Sequence, residues 1–133
     1  MKSDEKNPLK SIEPLLVFDP VLCATTWFYC GCSLSEVVKD IEARKRVKLD
    51  MESCSASRGD DYGTTFVVPL EENDLYVVHV RRKRDINTLA HELIHNVFNI
   101  FKSHDVIISH DNQEMFAKYH SFLMEKTKKA LRG

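Results

Sequence analysis

The 133-residue chain has no apolar run of the roughly eighteen residues that a bilayer-spanning helix needs. Its charged start, Met1 to Lys6, is not followed by the apolar stretch of a secretory signal. The expectation is a cytoplasmic protein with no membrane partner. Surplus charge is also missing: 19 Lys and Arg stand against 20 Asp and Glu, a net charge of −1 with six histidines neutral. A globally basic nucleic-acid binder is thereby excluded. There is no internal repeat. Cysteine is limited to Cys23, Cys30, Cys32 and Cys54, and without a signal segment a disulfide framework is not expected. Cys30-Gly31-Cys32 lacks a second ligand pair at zinc-ribbon spacing, so the thiols are expected to be reduced and partly buried.

What is present is ordinary for a folded domain: 43% hydrophobic and 29% charged residues. The length suits one domain that buries a core without cross-links. Residues 1–14, polar and holding Pro8 and Pro14, read as a flexible tail, and 15–133 as the domain. Leu15 to Phe18 is a short apolar run closed by Asp19-Pro20. Val21 to Cys30 reads as a strand or the lead-in to a helix, with Trp27, Phe28 and Tyr29 in the core. Ser33-Leu34-Ser35-Glu36 is a capping box, and Leu34, Val37, Val38 and Ile41 continue it at helical spacing to about Arg44–Val47. Asp50 to Gly63 reads as a loop, and its Arg58-Gly59-Asp60 is too short to signify adhesion. Thr64 to Val68 and Leu75 to Val80 read as strands, with Leu75, Val77 and His79 on one face and Tyr76, Val78 and Val80 on the other. His79 is expected to be half-exposed. The basic run Arg81-Arg82-Lys83-Arg84 resembles a nuclear signal or a nucleic-acid patch, but it lies between strand and helix, where solvated charge is normal. These cations would also favour acidic substrate segments. Asp85 then caps a helix.

That helix carries the chemistry. Ile86 to Phe101 contains His91-Glu92-Leu93-Ile94-His95, the H-E-x-x-H pattern. Side chains four apart on a helix lie nearly one above the other, so His91 and His95 face the same way and suit one zinc ion. Glu92 stands about 100° further round, placed to take a proton from a water on the metal. Ile86, Leu89, Ala90, Leu93, Val97 and Phe101 form the apolar stripe, and the histidines lie off it. Zinc in a catalytic site commonly has three protein ligands. Glu114, with eighteen residues between it and His95, and His104, with eight between, are the candidates. Glu114 also has a structural explanation, as the N3 residue of a capping box begun by Asp111. The last helix is expected from Asp111 to about Lys129, with Met115, Phe116, Tyr119, Phe122 and Leu123 on its apolar face.

His91-Glu92-Leu93-Ile94-His95, eighteen residues, then Glu114 resembles the gluzincin metallopeptidases. Asn112-Gln113-Glu114-Met115-Phe116-Ala117 is similar to the Asn-Glu-x-Phe-Ala stretch of the aminopeptidases, with one residue inserted. It is also similar to the matching helix of small zincin-like proteins of tailed bacteriophages and of peptidases that cleave phage-type repressors. The resemblance covers roughly residues 62–125. It implies an α+β zincin-like minidomain, a small antiparallel sheet with three main helices, and Zn2+ held by His91, His95 and Glu114. It further implies Glu92 as catalytic base, a peptide or protein substrate, and the host cytoplasm if the protein is phage-encoded. In that family the strand edge beside the active helix holds an extended peptide, which points here to Leu75–Val80. Tyr119, His120 and His110 are candidates for a further oxyanion donor. Two other functions stay open: a non-catalytic zinc-binding module in phage assembly or host takeover, and a repressor-cleaving regulator.

Overall fold

The structure, a computed structural model, describes residues 12–51, 55–57 and 62–132. Most of the expected tail, Cys54 and the Arg58-Gly59-Asp60 tripeptide lie outside the described residues. Among the described residues five strands and three helices follow in chain order: β1 (Leu15–Phe18), β2 (Thr25–Cys30), α1 (Leu34–Lys45), β3 (Ser55–Ser57), β4 (Gly63–Val68), β5 (Leu75–Val80), α2 (Ile86–Ser103) and α3 (Gln113–Leu131). The class is α+β with three helices, as expected.

The sheet is mixed rather than antiparallel. Its order is β1-β2-β5-β4-β3. β1 with β2, β5 with β4 and β4 with β3 run antiparallel. β2 and β5 run parallel, with Trp27 opposite Val77 and Phe28 opposite Val78. Parallel neighbours need a crossover rather than a hairpin, and here α1, β3 and β4 all lie between them in the chain. β5 is therefore central, paired on both sides and buried at every residue. It presents no open edge for a peptide, which overturns that expectation. Among the described residues the edge strands are β1 and β3.

Each face of the sheet has its own core. Phe28, Tyr76, Val78 and Val80 pack against Leu89, Leu93, Val97, Ile100 and Phe101 of α2 and Tyr119 and Leu123 of α3. Trp27, Tyr29, Phe66 and Val77 pack against Val37 and Ile41 of α1. Fully burying one such side chain contributes about 1.5–3 kcal/mol. Helices on both faces explain why Leu75–Val80 reads as an almost continuous apolar run.

The local signals are largely realised. Ser33 and Glu36 form the expected capping box, and α1 ends at Arg46 in the left-handed conformation. The Tyr29 hydroxyl and Arg44 Nε both donate to Asp40 Oδ2 at 2.7 Å, tying α1 to β2. Arg44 also donates to the carbonyl of Ile12 at 2.8 Å, so the chain joins the domain a little before Leu15. Ser55–Ser57, inside the expected loop, is a strand on the far edge of β4.

Candidate metal centre

α2 starts where the sequence places it. Asp85 accepts from Thr88 N at 3.2 Å and from Thr88 Oγ1 at 2.7 Å, satisfying a backbone donor the first turn leaves open. The helix lies across β4 and β5 and beside α3. Its buried residues are Leu89, Glu92, Leu93, Asn96, Val97, Ile100 and Phe101. Ile86, assigned to the stripe, is exposed instead. The buried arc has moved towards the Glu92 side, because the strand there is β4 rather than solvent.

His91 is exposed and His95 half-buried. Their rings stand edge to face, with centroids 4.9 Å apart. The pair is thus displayed together on the outward side of the helix, as the spacing requires.

Glu92 is 1% exposed, as buried as the leucines around it. The Thr65 hydroxyl on β4 lies 2.6 Å from Glu92 Oε1 and 3.0 Å from the Glu92 carbonyl oxygen. One hydroxyl has one proton. The shorter contact has the length of a hydrogen bond to a carboxylate, so the proton is assigned there. Gly63, two residues earlier on the same face of β4, makes this approach possible. A Cβ at Gly63 would lie 2.6 Å from Thr88 Cγ2, 2.9 Å from the His79 carbonyl oxygen and 3.0 Å from Glu92 Cγ. Neither Gly63 nor Thr65 was singled out by the sequence. A glycine entering a strand is a usable sign that another element passes close by; a threonine on a strand carries no such sign.

Glu114 sits in the first turn of α3 and is exposed. The capping-box explanation fails. The N-cap is Asn112, with no side-chain cap bond. Its Oδ1 instead accepts from Ser109 N at 2.7 Å. Glu114 has no hydrogen bond or ion pair with any described residue. His104 caps the far end of α2, where its Nδ1–H donates to the Ile100 carbonyl at 2.7 Å and its ring stacks over Tyr76. Among the described residues, no three His, Cys, Asp or Glu side chains are gathered in a group able to hold a metal ion. The pair His91 and His95 fits two ligand positions by donor type and placement. Glu114 is not brought alongside them, although it remains an uncommitted carboxylate.

Of the three candidate oxyanion donors, only His120 is engaged in a firm hydrogen bond among the described residues. His120 donates through Nε2–H to the Ala90 carbonyl at 3.1 Å. His110 is exposed, with Gln113 Nε2 3.4 Å from its Nδ1. The Tyr119 hydroxyl is buried without a well-formed hydrogen bond, and burial, reinforced by the nearby Asp19 carboxylate, raises its pKa.

His79 is 2% exposed, not half-exposed. It faces the α1 side, where Nε2–H donates to the Cys32 carbonyl at 2.6 Å and Nδ1 has no hydrogen-bond partner among the described residues. Burial holds its pKa below the ordinary histidine value. Cys30 and Cys32 are free and half-buried, as expected, whereas Cys23 is exposed. Burial raises both half-buried thiols, Cys32 to about 11, which makes them poor nucleophiles.

Among the described residues, no helix is long and apolar enough to cross a membrane. No family model, curated protein or solved structure matches the chain.

Proposed function

We propose that the protein is a zinc-dependent metallopeptidase hydrolysing peptide bonds. The observation that carries the reading is the grouping on α2: two imidazoles displayed side by side, with the intervening carboxylate fixed by a strand hydroxyl. His91 and His95 would hold the metal, and Glu114, which does not lie alongside them, would have to approach to serve as the third ligand. When bound, zinc supplies an acidified water and polarises the substrate carbonyl. Glu92 takes the proton from the attacking water and delivers it to the departing amine. Thr65 fixes Oε1 and so sets the direction in which the carboxylate works. The resemblance to gluzincins and to small phage zincin-like proteins supports the same assignment.

One observation favours a second reading, a non-catalytic zinc-binding module. A carboxylate only 1% exposed and bonded to a strand also serves to anchor α2 on β4.

Glu92→Gln separates the two. It keeps the size of the side chain but cannot take a proton. For a peptidase, the variant holds zinc and loses cleavage of a peptide library by about a hundredfold or more. Absence of cleavage by wild type and variant alike, with zinc bound to both, would leave the binding module. Metal analysis of the same preparations is expected to give one zinc per chain, abolished by His91→Ala or His95→Ala. It should be strongly reduced by Glu114→Ala and unchanged by His104→Ala. A reversed order of the last two transfers the ligand role to His104.

A further inference from the structure

The basic run before α2 does not stand alone in the folded chain. Arg84, in the left-handed region at φ 68°, donates its backbone N–H to the Leu131 carbonyl at 2.9 Å. That bond brings the last turn of α3 against the run, so Lys129 and Arg132 join Arg81, Arg82, Lys83 and Arg84 at one end of the molecule. All six are exposed, and none forms an ion pair with a described residue. Lys128 nearby has Glu125 at 3.9 Å, a distance that leaves its charge largely unneutralised. In a chain of net charge −1, six exposed cations at one end, none in an ion pair among the described residues, outnumber the described carboxylates near them, Glu36 and Asp85, and set up a directed field rather than a solubilising scatter.

The other end of the molecule is richer in carboxylates, although Lys102 lies there too. Ser103, the last residue of α2, donates to Asp74 at 3.2 Å, which fixes the β4–β5 turn there. That turn carries exposed Glu71 and Glu72, and exposed Asp105 follows α2. The ends are separated by α2, about 27 Å for its length.

We infer that the basic end is the docking surface for an acidic segment of the polypeptide substrate. The inference rests on the peptidase reading for the word substrate. His91 lies exposed on α2, less than two turns from the basic run, within reach of a chain held there. A short acidic segment matches a positive surface bounded by a negative one. A nucleic-acid strand, evenly charged along its length, would run on towards the acidic end. The aromatic residue in the cluster is also occupied: the Arg82 guanidinium lies 4.8 Å from the centroid of Tyr62, leaving less of that ring open to stack a base.

The test uses the full chain carrying Glu92→Gln, so that no peptide is consumed. Fluorescence anisotropy is measured with a labelled peptide bearing a run of glutamates, a neutral Gly-Ser peptide of equal length, and a single-stranded DNA oligonucleotide of equal charge. The acidic peptide is expected to bind in a salt-dependent way and the neutral one not. The pair Arg82→Glu with Lys83→Glu, and separately Lys129→Glu with Arg132→Glu, should each weaken binding about tenfold. Lys102→Glu, at the other end of α2, should not. Equal behaviour of acidic and neutral peptides, or no effect of either paired reversal, overturns the inference. Tighter binding of the oligonucleotide also overturns it and assigns the surface to nucleic acid. Acidic-peptide binding by a protein whose wild type cleaves nothing supports docking and sinks the peptidase reading.

Discussion

Thr65 shows how much a single hydroxyl carries when the group it meets is a buried carboxylate. Thr65→Val keeps the shape and removes the donor, leaving the buried Glu92 Oε1 without that bond. The expected cost is about 1–3 kcal/mol, read as a lower urea midpoint, with Thr65→Ser close to wild type. Equal midpoints for the valine and serine variants would show that the 2.6 Å contact is not a stabilising bond. His79 makes a second residue-scale prediction, in the pH dependence of folding. Burial lowers its pKa in the folded protein, so the unfolded chain binds the proton more tightly. Its contribution is complete above the ordinary histidine pKa of about 6.5 and is lost as the pH falls through that value towards the lower folded one. His79→Gln, which retains a donor for the Cys32 carbonyl, should flatten the fall in stability below about pH 6.5. An unchanged slope in urea titrations would assign that fall to other groups. The identities of His91, Glu92 and His95 were legible from spacing alone. The burial of Glu92 and His79 was not, because it depends on which strand or helix covers each face.

At the scale of elements, α2 was the most legible part of the chain and also the most instructive where it departs from the pattern. Its cap at Asp85 and its apolar residues follow from the sequence. Glu92 and Asn96 are buried although polar, since tertiary partners meet them: Thr65 for one, and for the other Thr26, whose hydroxyl accepts from Asn96 Nδ2 at 2.9 Å. The start of α3 misled in the opposite sense, because Asp111 and Asn112 are both good caps and local chemistry does not choose between them. The close seat of α2 on β4 depends on Gly63. Gly63→Ala places a methyl group against Thr88 and the His79 carbonyl, and backbone on one side limits relief. A loss of about 1–3 kcal/mol is expected for such overpacking. Circular dichroism melts of the alanine variant would check it. A wild-type melt would mean that α2 shifts freely over the strand.

The whole molecule was half legible. Three helices, the β4–β5 pair and the α+β class follow from periodicity and turn chemistry. The parallel seam between β2 and β5 does not, since nothing local in Thr25–Cys30 says which distant strand it will meet. That seam makes the sheet mixed, pairs Leu75–Val80 along its second edge and removes the edge at which a peptide was expected. It has a further consequence, in the order in which the chain closes. β4, β5 and α2 are consecutive, and their contacts close short loops at small entropic cost. The β2–β5 seam joins residues on either side of α1, β3 and β4, and must wait until the chain between has been gathered. The histidines, Glu92 and Thr65 all belong to the consecutive unit. Native-state hydrogen exchange that opened the seam while protecting β4, β5 and α2 would reveal a candidate site that assembles before the sheet around it is complete.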